Sequence, residues 1–164
     1  MGEYFYYVNH ERKLLFDIGL NAFNTNFSGI GWGGIATRAF CLLFTQLSES
    51  DERYSHNLIS SWVGDRVSIS GDYSEWYDNF YSYQNITANV ILMLYQVDGS
   101  KMLIEAAKTN NYFFLQIGYL IYSNQFTVIL PEFKAAFGNH WSKRYKQFLE
   151  KYSYHRYYDL VKID

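Results

Sequence analysis

The chain opens on two aromatic or branched runs, YFYYV at 4–8 and KLLFDI at 13–18, separated by the polar stretch NHER. Asn9 and His10 tolerate a turn, so the pattern predicts a β-hairpin. Residues 35–48, IATRAFCLLFTQLS, follow a different period. Ala36, Phe40, Leu43, Phe44 and Leu47 share one face at helical spacing and predict a helix. RVSIS at 66–70 alternates apolar and polar as a half-buried strand does, with Gly64-Asp65 and Gly71-Asp72 as turn signals on either side. Residues 72–85 read as a loop or irregular turn. Ile86, Val90, Met93, Leu94 and Val97 put a second helix over 86–96, stopped by Asp98-Gly99. Ser100 is placed to cap a short third helix, KMLIEAAKT, ended by Asn110-Asn111. YFFLQIGYLIY at 112–122 and FTVIL at 126–130 read as a second hairpin around Ser123-Asn124-Gln125, with Pro131 ending its second strand. A last helix is expected from Asn139, with Trp141, Tyr145, Phe148 and Tyr152 along one side. The order ββ-α-β-αα-ββ-α predicts a single α+β domain over 1–164, with a largely antiparallel sheet and three to four helices.

Residues 19–34, GLNAFNTNFSGIGWGG, break this rhythm. Sixteen residues without regular structure are more than most compact domains spend on a connection, and such loops are often functional. Gly29-x-Gly31-x-x-Gly34 runs into a helix and matches the dinucleotide fingerprint in form. Its physics would be helix N–H groups offered to a pyrophosphate. The fingerprint needs an apolar strand directly before it, and Asn24-Thr25-Asn26 stands there instead. A glycine-rich loop on which Trp32 packs is the better reading.

Length and composition narrow the class. A chain of 164 residues buries roughly 70% of its unfolded surface and needs no staple to fold. A lone cysteine, Cys41, excludes an internal disulfide, and its place in RAFCLLF reads as a small buried thiol. This fits a cytoplasmic protein. MGEYFYYVNHERK lacks the basic and apolar regions of a signal peptide. Asn85-Ile86-Thr87 matches a glycosylation pattern that means nothing without secretion. The longer apolar stretches are interrupted before they reach membrane-spanning length.

Charge is uneven. Residues 1–131 hold 7 Lys/Arg against 12 Asp/Glu, a balance of −5, and residues 132–164 hold 7 against 4, a balance of +3. An acidic body therefore carries a mildly basic tail. The tail interleaves bases with aromatics, but its rings follow a helical face, so core packing explains it better than nucleic-acid stacking. The four histidines lack metal-ligand spacing, and one cysteine builds no thiolate site. No metal and no cofactor is expected. Asp65 and Asp72 flank a five-residue strand, about 17 Å apart, too far for two carboxylates to work on one bond.

Aromatic content is 21%, with 17 Tyr, 13 Phe and 4 Trp, and a core rarely takes that much tyrosine because each buried hydroxyl needs a partner. The excess concentrates in DYSEWYDNFYSY. Asp72, Glu75 and Asp78 stand there among Tyr73, Trp76, Tyr77, Phe80, Tyr81 and Tyr83, with no Lys or Arg. Tyr and Trp dominate binding hot spots, and an acidic rim steers basic partners. The candidate partner-binding residues are Asp72, Tyr73, Glu75, Trp76, Tyr77 and Asp78. A tyrosine-rich loop folded over its own core is the alternative.

Three features together resemble a group of small, poorly characterised bacterial proteins: the hairpin with Tyr6 to Asn9, the glycine-rich loop Gly29 to Gly34, and Trp-x-Gly-Asp-Arg-Val-x-x-x-Gly-Asp-Tyr, here Trp62 to Tyr73. The likeness covers about the first half of the chain. Such proteins look like immunity proteins, which neutralise a bacterial toxin by occluding it. The resemblance therefore implies a non-enzymatic binding module that occludes a toxin; the acidic, aromatic stretch adds a basic surface on that partner, and the lack of a spanning apolar run gives no role at a membrane. The alternative is a small enzyme or a nucleotide- or ligand-binding domain using Gly29–Gly34 and Asp65-Arg66.

Overall fold

The computed structural model describes residues 5–18, 35–46, 52–71, 74, 77–99, 116, 119–120, 125–143 and 146. The amino-terminal hairpin forms as its alternation requires. β1 (Phe5–Asn9) pairs antiparallel with β2 (Leu14–Asp17), Tyr7 opposite Phe16 and Val8 opposite Leu15. β3 (Val67–Gly71) lies antiparallel on the other side of β1, Tyr7 opposite Ile69. A two-residue strand, β4 (Gln84–Asn85), joins β2 in parallel. The sheet order is β3-β1-β2-β4. With three helices bounded among the described residues, the fold is α+β: α1 (Ile35–Phe44), α2 (Thr87–Asp98) and α3 (Leu130–Phe137).

One face of the sheet carries the main core. Tyr7 stacks on Phe40 of α1 at 4.2 Å between ring centroids and tilts against Phe16 at 5.1 Å. Trp62 is fully buried and meets Phe16, Phe40 and Phe44. The chain around Trp62 also finishes α1. A helix leaves its last carbonyls without partners. Here the N–H of Ser60 donates to Leu42 O and that of Trp62 to Leu43 O, both at 3.0 Å. Ser60 holds a positive φ of 62°, an uncommon conformation for a non-glycine residue. Its hydroxyl donates to Thr45 O as well. Two bonds from one residue hold that conformation in place.

α2 buries Thr87, Ala88, Val90, Ile91, Met93, Leu94, Tyr95 and Val97, which makes it the central helix. Its start is tied to the sheet. Asn85 Oδ1 accepts from the Thr87 N–H at 2.9 Å, and Thr87 Oγ1 accepts from the Asp17 N–H at 2.9 Å. Its end is clamped to α1 by Arg38, which bonds both carboxylate oxygens of Asp98 at 2.6 and 2.5 Å.

Three expectations are corrected. The second hairpin is not there. In 112–122 the described residues, Gln116, Tyr119 and Leu120, are helical. Phe126–Val128 is a 3₁₀ turn, and Pro131 opens α3 at its first turn instead of ending a strand. Proline lacks only an N–H that a first turn leaves unpaired anyway. Ile129, Phe133, Phe137 and Trp141 then fall at i, i+4 spacing, and Phe133 packs against the rings of Phe137 and Trp141. Secondly, Cys41 is exposed. α1 buries Ala36, Ala39, Leu42 and Leu43, and at 3.6 residues per turn position 41 lies on the opposite side of the helix from that stripe. Thirdly, residues 77–85 are ordered as the 3₁₀ helix Tyr77–Ser82 and β4. The loop 19–34 and the helix expected at 101–109 lie outside the described residues. No helix among the described residues is long and apolar enough to cross a membrane.

Candidate functional site

Strand alternation sends Phe5, Tyr7 and Asn9 to the main core and leaves Tyr6, Val8 and His10 on the opposite face. That second face is partly covered. Val8, Leu15 and Phe80 form a small cluster of their own, with Tyr6 and Tyr83 packed against it. Phe80 comes from the 3₁₀ helix Tyr77–Ser82, which is therefore pinned to the sheet by one ring. The rings are mutually inclined. Tyr6 and Phe80 stand 64° apart at 6.4 Å, and Phe80 and Tyr83 58° apart at 5.4 Å. Between them runs an open groove of about 270 Å³, lined by Tyr6, Leu15, Phe80, Tyr81, Tyr83 and Asn85. Tyr81 is 84% exposed at its rim.

A polar chain continues from the groove across β3. The Tyr83 hydroxyl lies 3.4 Å from His10 Nδ1, His10 Nε2 lies 2.7 Å from Ser68 Oγ, and Ser68 Oγ lies 3.1 Å from Ser70 Oγ. Partial burial, with the Arg66 charge nearby, lowers the His10 pKa below its ordinary 6.5, against a smaller opposing pull from Glu11. The imidazole is thus neutral at pH 7. A neutral His beside a serine is the geometry of a general base and its nucleophile. Acyl chemistry also needs N–H donors aimed at the oxyanion. His10 N donates to Arg66 O, and antiparallel pairs alternate, so Val8–Ser68 and Tyr6–Ser70 are hydrogen-bonded pairs. The amides of both serines are spent on the ladder.

Asp65 and Arg66 serve the hairpin turn. Gly64 takes a φ of 84°, which suits a glycine, and the chain then delivers Asp65 to the turn. Asp65 Oδ2 accepts from Asn9 Nδ2 at 2.8 Å and from Arg12 Nε at 2.6 Å. These two bonds, Asn9 first, hold its carboxyl below the usual carboxylate range. Asn9 is fully buried, and its Oδ1 accepts from the N–H groups of Glu11 and Arg12. Arg66 is exposed, and its N–H donates to Glu11 Oε2 at 2.9 Å. The hairpin turn after β1 is thus held by the carboxylate of Asp65, from the segment that follows Trp62.

No family model, no curated protein and no solved structure matches the chain.

Of the six candidate partner-binding residues, Asp72, Tyr73, Glu75 and Trp76 lie outside the described residues, as does the Gly29–Gly34 loop. Tyr77 and Asp78 begin the 3₁₀ helix that crosses the second face of the sheet. The carboxyl half of the same stretch divides by ring: Phe80 is buried, Tyr83 half-buried and Tyr81 exposed. Sequence reasoning missed Tyr6, Leu15 and His10 as their companions. The signal was present, since β1 carries large side chains at successive positions and so cannot leave one face bare. Among the described residues no group of three His, Cys, Asp or Glu could hold a metal ion.

Proposed function

We propose that this chain is a non-enzymatic binding module that meets a protein partner of basic surface through the second face of its sheet. In this reading it is an immunity protein acting in the cytoplasm, and it neutralises a bacterial toxin by occluding it. One observation carries the reading: Tyr81 stands 84% exposed beside an aromatic groove, in a stretch holding three acids and no Lys or Arg. Exposed rings with an acidic rim fit a partner of opposite charge. The ligand-binding alternative has less support, because the Asp65 carboxylate already accepts two hydrogen bonds from the hairpin turn.

The test is co-purification with the product of the adjacent gene, together with survival of cells expressing that product. Wild type binds and protects. Tyr81→Ala and Asp78→Lys weaken binding at least tenfold, as loss of a hot-spot residue does. Trp76→Ala extends the test to the preceding half of the stretch. A neighbour that neither binds nor harms cells overturns the proposal. A melting shift with nucleotides favours the alternative instead.

A further inference from the structure

β3 stands at one end of the sheet order β3-β1-β2-β4, with no strand beside it among the described residues. The His10 N–H donates to Arg66 O at 3.0 Å, which fixes the phase of the β1–β3 ladder. Ser68 and Ser70 therefore turn their backbone groups toward β1, and Val67 and Ile69 turn theirs outward. Neither the N–H nor the C=O of Val67 or Ile69 meets a partner among the described residues, and Ile69 is 45% exposed. Natural sheets blunt such an edge with a charge, a proline or a bulge. Val67–Gly71 carries no charge and no proline, and its register with β1 runs residue for residue without a bulge.

We propose that β3 pairs antiparallel with β3 of a second copy of this chain, about a twofold axis through Ser68. In that register Val67 of each copy lies opposite Ile69 of the other. Both residues face outward, so each pair exchanges both of its N–H···O=C bonds and every open group of Val67 and Ile69 is used. The next pair in the register is Asp65 with Gly71 of the copy, and one group on each is already taken. The Asp65 N–H donates to Trp62 O at 3.1 Å, and Gly71 O accepts from the Ser74 N–H at 3.0 Å. The open part of the edge is thus the length that its own copy fills. The side chains agree. Ile69 lies beside Val67 of the copy on one face, an apolar cross-strand contact that the symmetry forms twice. Asp65 and Arg66 come opposite Gly71 and Ser70 of the copy, so no like charges meet. The pairing is separate from the binding reading above and does not use the aromatic groove.

Sedimentation velocity of the full chain, from about 10 µM to about 1 mM, tests the pairing. Two short strands make a small contact, so the expected Kd is on the order of 100 µM. The weight-average mass rises from one chain toward two and stops there, because a twofold contact closes on itself. Hydrogen exchange read by NMR locates the contact. The Val67 and Ile69 amides exchange freely in dilute solution and at least about fivefold more slowly at the highest concentration. Ile69→Pro removes an N–H that only the dimer uses, at an edge position where proline is tolerated, and weakens association at least about tenfold. Ile69→Lys puts a charge on the edge and has the same effect, whereas Ile69→Thr keeps a good strand residue and stays within about fivefold of wild type. Circular dichroism of each variant checks that the monomer is folded. A chain that stays monomeric at the highest concentration overturns the proposal. So does a dimer that both Ile69→Pro and Ile69→Lys leave intact, or an assembly that grows beyond two copies. Protection of the two amides only when the adjacent gene product is added assigns the edge to that protein and also overturns self-pairing.

Discussion

Replacing Asn9 distinguishes a structural role for the Gly-Asp-Arg segment from a ligand-binding one. Asn9→Ala removes three hydrogen bonds made by a fully buried side chain. The bond to the Asp65 carboxylate is charge-assisted and contributes roughly 1.5–3 kcal/mol. The two bonds from Glu11 and Arg12 count for less than the usual 1 kcal/mol or so each, because both residues are exposed and water replaces the lost acceptor. The expected destabilisation is about 2–4 kcal/mol. Asp65→Ala removes the same link from the other side and leaves the buried Asn9 amide without its acceptor, a cost of roughly 1–3 kcal/mol. The Arg12 contact adds little, since that side chain is half exposed. Because both substitutions break one shared interaction, the double variant should fall short of the sum by about 1–2 kcal/mol. Urea unfolding followed by circular dichroism measures all four proteins, with an unchanged m-value as the check on two-state behaviour. Additivity within about 0.5 kcal/mol would refute the coupling and with it the assignment of Asp65 to the turn.

Three further outcomes follow from buried and exposed groups. Tyr95 is buried with its hydroxyl unbonded, so Tyr95→Phe should leave stability unchanged or raise it by about 1 kcal/mol, measured by the same unfolding assay. Cys41 is exposed, so a thiol reagent such as DTNB should label it in the native protein without denaturant, and no labelling before unfolding would refute the placement. Burial lowers the pKa of both His10 and His56 from 6.5. The unfolded state therefore takes up protons first: their stabilising contribution is full above about 6.5 and is lost as pH falls through 6.5 toward the folded-state values. Urea midpoints should drop between pH 7 and pH 5, and the drop should shrink in a His10→Gln, His56→Gln variant.

The elements that sequence reasoning placed well carry their period in the first hundred residues. β1, β2, α1 and α2 each declare a face and bury it against the same core around Trp62; β3 forms where its alternation places it, but its Ile69 is exposed and its Ser70 buried. The carboxyl part failed for a definite reason. YFFLQIGYLIY and FTVIL are short, continuously apolar runs, and periodicity cannot tell a buried helix from a strand in such runs. Pro131 after such a run reads as a stop, although the Ile129, Phe133, Phe137 spacing around it is that of a helix start. Cys41 was misplaced by a related error. An apolar neighbourhood in sequence is not one in space when a helix turns 41 away from 39, 42 and 43.

The site shows the same limit from the other side. Sequence located the aromatic, acidic stretch but treated it as a surface hung on a scaffold. Phe80 is instead part of a second small core with Val8 and Leu15, so one tyrosine of the stretch is displayed because a neighbouring phenylalanine is buried. Fixing Phe80 on the sheet fixes Tyr81 at the rim and sets Tyr83 against His10. In the proposed binding mode, rings held in this way would meet a lower ordering cost on binding than a mobile tyrosine loop. In that mode, recognition by this face would depend on β1 as much as on the stretch itself: Tyr7 and Tyr6 are consecutive residues, one in the main core and the other lining the groove.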